Sequence, residues 1–324
     1  MGLRIQTNIQ ALNSQHALAI STAMNDSSME KISSGYRINK SSDDAAGLAI
    51  SEKLKADVRS LNMAKRNAND GISMLQVAEG GMNEIGNVLA RLRELSIQGA
   101  SDTIGNKERE FINKEYTALK DEVDRITNST EYNGTLLLVG NNQRDKIPDE
   151  SMLAKANQSP FEFQVGKNWY KGVDGQGAPD QFGRNPVNVI RANFDQFDTS
   201  TVGLGLGRGS DNTVESAGTF VEGSDNSNDS KLRAQMSISK LDDAISTVAR
   251  FRADIGATQS RLNSTVSNLG TMSENFSAAN SRIRDTDFAE ETTKLTQSNI
   301  LKQAGVAVLA QANQSSAAAM RLLG

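Results

Sequence analysis

Residues 54–98 read LKADVRSLNMAKRNANDGISMLQVAEGGMNEIGNVLARLRELSIQ, and their apolar residues recur at alternating spacings of four and three. This spacing puts one stripe of side chains on a single face of an α-helix, in the heptad pattern of a coiled coil. Lys65 and Glu79 fall on the stripe and interrupt it. The apolar members of the stripe are Leu54, Val58, Leu61, Ala68, Ile72, Leu75 and Met82.

The start of this helix is indicated by Ser41, with Asp44 three residues later, which is an Asp variant of the capping box. No proline interrupts the stretch, so the helix can continue to about Gln98. A continuous helix of that length would span roughly 80 Å.

Two further predicted helices carry similar apolar stripes, which are called seams below. One begins near Asn106 and ends before the turn pair Asn133–Gly134, with the stripe Ile112, Tyr116, Leu119, Val123 and Ile126. The other lies in the second half of the chain, and polar residues interrupt its seam. Seams from both halves of the chain predict a mainly α fold in which long helices form a coiled-coil or helical bundle. The third seam includes Ile238, Leu241, Val248, Ile255, Leu262, Leu269 and Ile283, with Arg252, Gln259, Ser273 and Asn280 in its gaps.

The centre of the chain, residues 140–230, has a different composition, because it holds all four prolines and several glycine clusters. Apolar and polar residues alternate at Phe161, Phe163 and Val165, and again around Val187 and Val189. Alternation of this kind predicts short strands. We therefore expect a small region rich in β-hairpins between the helical arms.

The two ends of the chain are almost free of charge. Arg4 is the only fixed charge between residues 1 and 25, and Lys302 is the only one between residues 297 and 320. Glutamine and asparagine make both ends too polar to cross a bilayer. They are nevertheless too apolar for an ordinary solvated tail. We therefore predict that they pack against neighbours in a self-assembling subunit.

Composition argues against several function classes. A net charge of −4 gives no reason to expect nucleic acid as a partner. The sequence has no cysteine, and its single histidine, His16, cannot form a histidine-based metal site or a triad by itself. The glycine run 203–209 lacks the spacing of a phosphate loop, and residues 225–230 lack the ligands of a calcium loop. We predict no catalytic, cofactor or metal site, no enzyme activity and no membrane insertion.

Several motifs resemble those of bacterial flagellin, the subunit of the flagellar filament. The similarity covers nearly all of residues 1–139 and 231–324, in order. The motifs that carry it include IQTNI at 5–9, DDAAGLAI at 43–50, LARLRELSIQ at 89–98, DFAE at 287–290 and QAGVAVLAQAN at 303–313. The stretches 143–159 and 167–186 match nothing in the family and are interpreted as small insertions.

The resemblance implies a structural subunit that self-assembles into a helical filament for swimming motility. It also implies secretion, in an unfolded state and without a cleaved signal peptide. The partners would be other copies of the chain, the flagellar export machinery and its chaperone, and the filament cap and junction proteins. The segments it implies are 1–42 and 284–324 as inner-tube helices, 43–139 and 231–283 as wall helices, and 140–230 as the central excursion.

Two sets of functional residues follow from the resemblance. Arg91, Leu95 and Glu115 correspond to the contact with the flagellin-sensing Toll-like receptor of animals, and we expect Arg91 and Leu95 to form one exposed patch. The second set lies on the terminal helices, whose apolar faces would pack between subunits. The polymerisation residues are Ile5, Ile9, Leu12, Ile300, Leu301, Val306, Val308 and Leu309.

One alternative remains open at this point. A filament-junction or tip protein, or another secreted interaction protein with coiled-coil arms, would share the long helical seams. Such a protein would occur in few copies and would not polymerise alone.

Overall fold

The computed structural model describes residues 8–140, 161–167, 188–194, 197–207 and 227–321. Long α-helices dominate these residues, and two short antiparallel strand pairs accompany them, which confirms the predicted fold class. The helices are α1 Ile9–Ser34, α2 Ala45–Gly99, α3 Asn106–Ser129, α4 Ser227–Arg284 and α5 Phe288–Arg321. The strands are β1 Glu131–Tyr132, β2 Thr135–Leu136, β3 Phe161–Gln164 and β4 Val189–Ala192.

The chain divides into two compact units. One comprises the residues up to Arg59 together with those from Met272, and the other comprises Ser60–Thr271. Several sequence predictions concern residues outside the described ranges. These are Ile5, Val187, all of the stretch 143–159, and all of the stretch 167–186 except Lys167.

The long helix α2 contains 55 residues, so it spans about 80 Å, as predicted. The prediction that Ser41 caps this helix is wrong. Asp44 is the capping residue, because its Oδ1 accepts a hydrogen bond of 2.8 Å from the backbone N of Gly47. The helix therefore begins at Ala45, and Asp44 satisfies one of the backbone donors of its first turn.

The predicted stripes form the core of the second unit. Leu61, Leu75 and Met82 of α2 are buried. Lys65 is exposed, and its neighbour Ala64 takes the buried position. Buried residues of α3 and α4 complete the core, which confirms the seams predicted for these helices. They include Ile112, Tyr116, Val123, Leu241, Val248, Ile255 and Leu262.

The turn between β1 and β2 is formed by Asn133 and Gly134, as predicted. Both have positive φ angles, 51° and 77°, which is the backbone conformation of a type I′ hairpin turn. In the second strand pair, Phe161 lies opposite Ala192 and Phe163 opposite Ile190. These four side chains therefore share one face of the hairpin.

This hairpin packs on the helices of the second unit through aromatic rings and a glycine. The ring of Phe161 meets Phe194 edge-on at 5.3 Å, and Phe197 lies 4.8 Å from Phe251 of α4. A Cβ placed on Gly71 of α2 would lie 2.9 Å from the ring of Phe163. Because Gly71 has no side chain, the Phe163 ring of the hairpin can pack directly against the backbone of α2.

Candidate functional site

Helices α1 and α5 pack against each other in opposite directions. Asn8, the residue before α1, donates a side-chain hydrogen bond of 3.0 Å to the backbone O of Ala312. Further along α1, Asn25 Nδ2 donates to Ser298 Oγ at 3.1 Å and to Asn299 Oδ1 at 2.8 Å. Early residues of α1 thus meet late residues of α5, which makes the pair antiparallel.

The seam between these two helices is built largely from small and polar residues. Ser21, Asn25, Ser28 and Ser298 are all buried there. Ser21 donates its hydroxyl hydrogen to a backbone carbonyl of its own helix, and so does Ser298. Because these hydroxyls find partners locally, burying them leaves few polar groups unsatisfied.

Most of the large apolar side chains of the terminal helices are exposed instead. Their exposed fractions range from 46% for Leu301 to 61% for Ile300, whereas Leu309 is half-buried. Covering the exposed half of one such side chain would contribute roughly 1 kcal/mol. The terminal pair therefore buries several polar side chains in its seam, beside Ala11 and Ala312, while most of its large apolar side chains stay exposed. The exposed members of the predicted polymerisation set are Ile9, Leu12, Ile300, Leu301, Val306 and Val308.

Two further exposed apolar residues, Ile20 and Met24, were missed by sequence reasoning. They lie four residues apart on α1 and, together with Leu301, line a groove of about 460 Å³. Their position within the charge-poor N-terminal stretch and their helical spacing could have identified them.

Three charged residues, Lys31, Glu291 and Lys294, also line this groove, and Lys294 forms ion pairs there. Lys294 Nζ lies 2.7 Å from Glu290 Oε1 and 3.6 Å from Glu291 Oε2. The hydrogen bond that Lys294 donates to Glu290 is the main reason why the pKa of Lys294 is raised above its ordinary value.

A separate candidate surface lies on α2 and α3. Arg91 of α2 donates from Nε and Nη2 to Glu115 Oε1 of α3, at 3.0 and 2.8 Å, and from Nη1 to Glu94 Oε2 at 2.9 Å. These hydrogen bonds raise the pKa of Arg91, and the bonds donated to Glu115 have a larger effect than the bond donated to Glu94. About half of each side chain in the Arg91–Glu115 pair is exposed, so the structure brings both residues to the surface together.

Leu95 does not join this surface, and the expected patch of Arg91 with an exposed Leu95 is wrong. Only 1% of Leu95 is exposed, and its side chain belongs to the core of the second unit. Four residues turn a helix by about 400°, so positions four apart differ by roughly 40° in direction. That difference is enough to place Arg91 at the surface and Leu95 in the core.

Residues considered for catalysis or ion binding do not assemble in the described part of the chain. His16 is exposed on α1. Among the described residues, no three or more His, Cys, Asp or Glu side chains are grouped so that they could hold a metal ion. No helix in the described ranges combines the length and hydropathy needed to cross a membrane.

The glycine run 203–209 is described as far as residue 207. It forms a turn that packs inward, because Leu204 and Leu206 are buried. The buried Lys120 of α3 donates to the backbone O of Leu206 at 2.8 Å and fastens the turn to the helix. Gly209 and Asp225, the ends of the two loops considered for ion binding, lie outside the described residues.

Similarity to known proteins extends over nearly the whole chain. Residues 5–143 match the bacterial flagellin N-terminal helical region, and residues 238–323 match the bacterial flagellin C-terminal helical region. The flagellin of Bacillus subtilis strain 168 is 38% identical over 328 residues, which cover 99% of this chain and 100% of the relative. The chain belongs to the flagellin family. Polar flagellin A of Vibrio parahaemolyticus is 35% identical over 378 residues and covers 100% of both chains.

Among solved structures, the crystal structure of Bacillus cereus flagellin aligns with a TM-score of 0.42 and 24% sequence identity. The alignment covers 66% of this chain and 94% of that one.

As a flagellin, the chain is a structural subunit that self-assembles into the flagellar filament, an extracellular part of the flagellum. The full-length similarity to proteins named flagellin favours the filament subunit over a junction or tip protein. Membership of a family of structural proteins also implies that the chain is not an enzyme.

Proposed function

We propose that the outward apolar side chains of α1 and α5 are the polymerisation surface, within inner-tube segments 1–42 and 284–324. The single observation that carries this proposal is the number of large apolar side chains that the terminal pair leaves exposed. Its seam buries Asn25 and Ser298, whereas Ile300 and Val308 are more than half exposed. An apolar surface of this kind is stabilised when neighbouring subunits cover it.

Point variants that change the outer face without touching the seam test this proposal. Ile300→Asp and Val308→Asp each place a charge where a neighbouring subunit would exclude water, which is costly for an unpaired carboxylate. Leu232→Asp is the matched control, because Leu232 is an exposed leucine of α4, outside the terminal helices. Pelletable filament, measured against subunit concentration, gives the critical concentration of each variant.

We expect Ile300→Asp and Val308→Asp to raise the critical concentration strongly, and Leu232→Asp to leave it near the parent value. Far-UV circular dichroism checks that the helices are retained. Filaments of both α5 variants at the parent's critical concentration would show that this face does not drive assembly.

We also propose that the subunit leaves the cell unfolded through the flagellar export machinery. It would travel with its export chaperone and then meet the filament junction and cap proteins. The absence of cysteine supports this route, since an unfolded chain without thiols cannot form stray disulfides on the way. The test compares the amount of subunit in the medium of cells with and without a working export apparatus. Equal amounts in the two media would contradict the proposal.

We further propose that the flagellin-sensing Toll-like receptor of animals recognises released subunits. The exposed ion pair of Arg91 and Glu115 supports it, because a planar guanidinium held by two carboxylates presents a defined polar surface. Leu95 would act indirectly, as part of the buried core that holds α2 in place.

Separate single variants distinguish the two roles in a receptor reporter assay. Arg91→Ala and Glu115→Ala should weaken the response while leaving the thermal unfolding of the subunit nearly unchanged. Leu95→Ala should lower the free energy of unfolding by about 2 to 5 kcal/mol, because it leaves a cavity in the core. Arg125→Ala is the control, since Arg125 forms an exposed ion pair with Glu122 elsewhere on α3. A response of Arg91→Ala equal to that of Arg125→Ala would refute the contact.

A further inference from the structure

Two connecting segments meet where α1 leads into α2 and where α4 leads into α5. Tyr36 and Asp285 form an antiparallel bridge between these segments. On either side of it, the backbone N of Arg37 donates to the O of Arg284 at 2.6 Å, and the N of Thr286 donates to the O of Gly35 at 3.0 Å. The two connections thus form one joint within the first compact unit.

The side chain of Arg284, the last residue of α4, lies at the centre of this joint. Its guanidinium carbon is 4.7 Å from the centre of the Tyr36 ring, which is a cation–π contact. Its Nη1 donates to Glu52 Oε1 of α2 at 2.5 Å. One planar group therefore contacts the segment that follows α1 and an early turn of α2 at the same time. With 17% of its side chain exposed, Arg284 is largely shielded from solvent.

Side-chain hydrogen bonds fix the backbone near the start of each helix that leaves the joint. The carboxylate of Asp43 accepts hydrogen bonds from the backbone N of Asn39 and of Lys40 just before α2, at 3.0 and 2.9 Å. Asp287 Oδ1 accepts from the backbone N of Ala289 at 2.9 Å and caps α5. The backbone conformation at the joint can therefore change only at the few residues between these hydrogen-bonded ends.

Gly35 is the residue among these that turns most easily. It follows the last residue of α1 with a φ of +73°, and a Cβ placed on it would meet nothing within 4 Å. A left-handed glycine with open space at its Cβ position is a suitable pivot, since it changes its backbone angles at little steric cost. The ring of Tyr36, against which Arg284 lies, belongs to the next residue.

We propose that Arg284 is a positioning residue that locks this joint. It holds the α1–α5 pair in one orientation relative to the first turns of α2, and Gly35 is the pivot that the lock restrains. The guanidinium can do this because its plane stacks on the ring while its N–H groups form the ion pair, and the uncharged amide of glutamine forms neither a cation–π contact nor an ion pair. The inference goes beyond the polymerisation and receptor surfaces and requires only that the chain is a filament subunit.

The test measures one distance across the joint in assembled filaments. Because the chain has no cysteine, Asp26→Cys on α1 and Lys53→Cys on α2 provide two unique sites for spin labels, and both positions are exposed. Labelled subunits are copolymerised with an excess of unlabelled parent, so that pulsed electron resonance reports the distance within one subunit. Arg284→Gln in the labelled chain removes the lock. Arg282→Gln, at an exposed arginine two residues earlier on α4, is the matched control.

We expect a narrow distance distribution for the labelled parent and for Arg282→Gln, and a broader one for Arg284→Gln. A width for Arg284→Gln equal to the parent's overturns the proposal, and so does equal broadening by Arg282→Gln. If Arg284→Gln fails to enter filaments, Tyr36→Leu and Glu52→Gln each remove one of the two contacts. Broadening by either then supports the lock, and parent-like widths for both overturn it. Assembly of the labelled parent is observed separately, so failure of the polymerisation proposal is distinguishable from failure of the lock.

Discussion

Gln259 of α4 donates a hydrogen bond of 3.0 Å to Glu79 of α2. In the sequence, these two residues look like independent interruptions of apolar seams. In the structure they are half-buried and meet each other, while Ala78 takes the neighbouring core position on α2. A polar pair at a fixed level of a helix pair favours one register over its alternatives, because sliding would leave both groups without a partner.

A double-mutant cycle measures this pairing. Gln259→Ala and Glu79→Ala should each destabilise the depolymerised subunit, and the combined variant should lose less than the sum of the two. We expect a coupling free energy of about 1 kcal/mol in chemical unfolding at neutral pH. Strict additivity would mean that the contact contributes nothing to stability.

The glycines of α2 provide a matched pair of substitutions. Gly71→Ala should lower the free energy of unfolding by about 1 to 3 kcal/mol, because the added Cβ would press against the Phe163 ring at 2.9 Å. Gly80→Ala meets nothing within 4 Å and should stabilise the same helix by up to about 1 kcal/mol. Equal effects of the two substitutions in urea unfolding would argue against the packing of the hairpin at Gly71.

The buried Arg109 of α3 holds the end of α2. It donates from Nε to the O of Gly99 at 2.8 Å and from Nη2 to the O of Ser101 at 2.9 Å. Arg109→Lys cannot reach both carbonyls and should cost about 2 to 3 kcal/mol of unfolding free energy. Arg125→Lys, at an exposed position of the same helix, should change it little. Similar melting temperatures for the two variants would contradict this role of Arg109.

The buried phenol of Tyr116 should make the stability of the subunit depend on pH in the alkaline range. Burial raises the pKa of its phenol from 10.0 to about 12, against hydrogen bonds with Ser237 and Ser96 that lower it. The stability that the protonated phenol contributes is fully present below pH 10. It is lost as the pH rises towards 12, because the phenol loses its proton at a lower pH in the unfolded chain than in the folded one. The parent should lose about 2 to 3 kcal/mol more than Tyr116→Phe between these pH values. Parallel pH profiles for the two proteins would show that the buried phenol does not titrate in this way.

Much of the fold follows from the spacing of apolar residues. The stripe through Leu61, Leu75 and Met82 predicted a buried face, and the Asn133–Gly134 pair predicted a turn, because both depend on local geometry. The sequence alone did not decide which residue caps α2. Ser41 and Asp44 both suit a cap, and only the actual start of the helix decides between them.

The candidate surfaces were harder to predict than the helices. The sequence identified the charge-poor ends. It did not show that Asn25 and Ser298 would occupy the seam while Ile300 faces outward, because the choice of seam residues depends on how each helix is rotated about its axis. Leu95 was misplaced for a similar reason, because a difference of roughly 40° in direction separates surface from core. The contacts of Arg284 join residues far apart in the chain, and no local pattern indicates them.

The most direct test of the central claim, that the terminal helix pair drives assembly, is removal of all residues after Ile300. This truncation deletes most of α5, including Val306 and Val308, and leaves the unit formed by Ser60–Thr271 intact. Negative-stain electron microscopy of the concentrated protein, alongside far-UV circular dichroism, gives the answer. We expect a helical subunit that forms no filaments at concentrations where the parent polymerises. Normal filaments from the truncated chain would contradict the account.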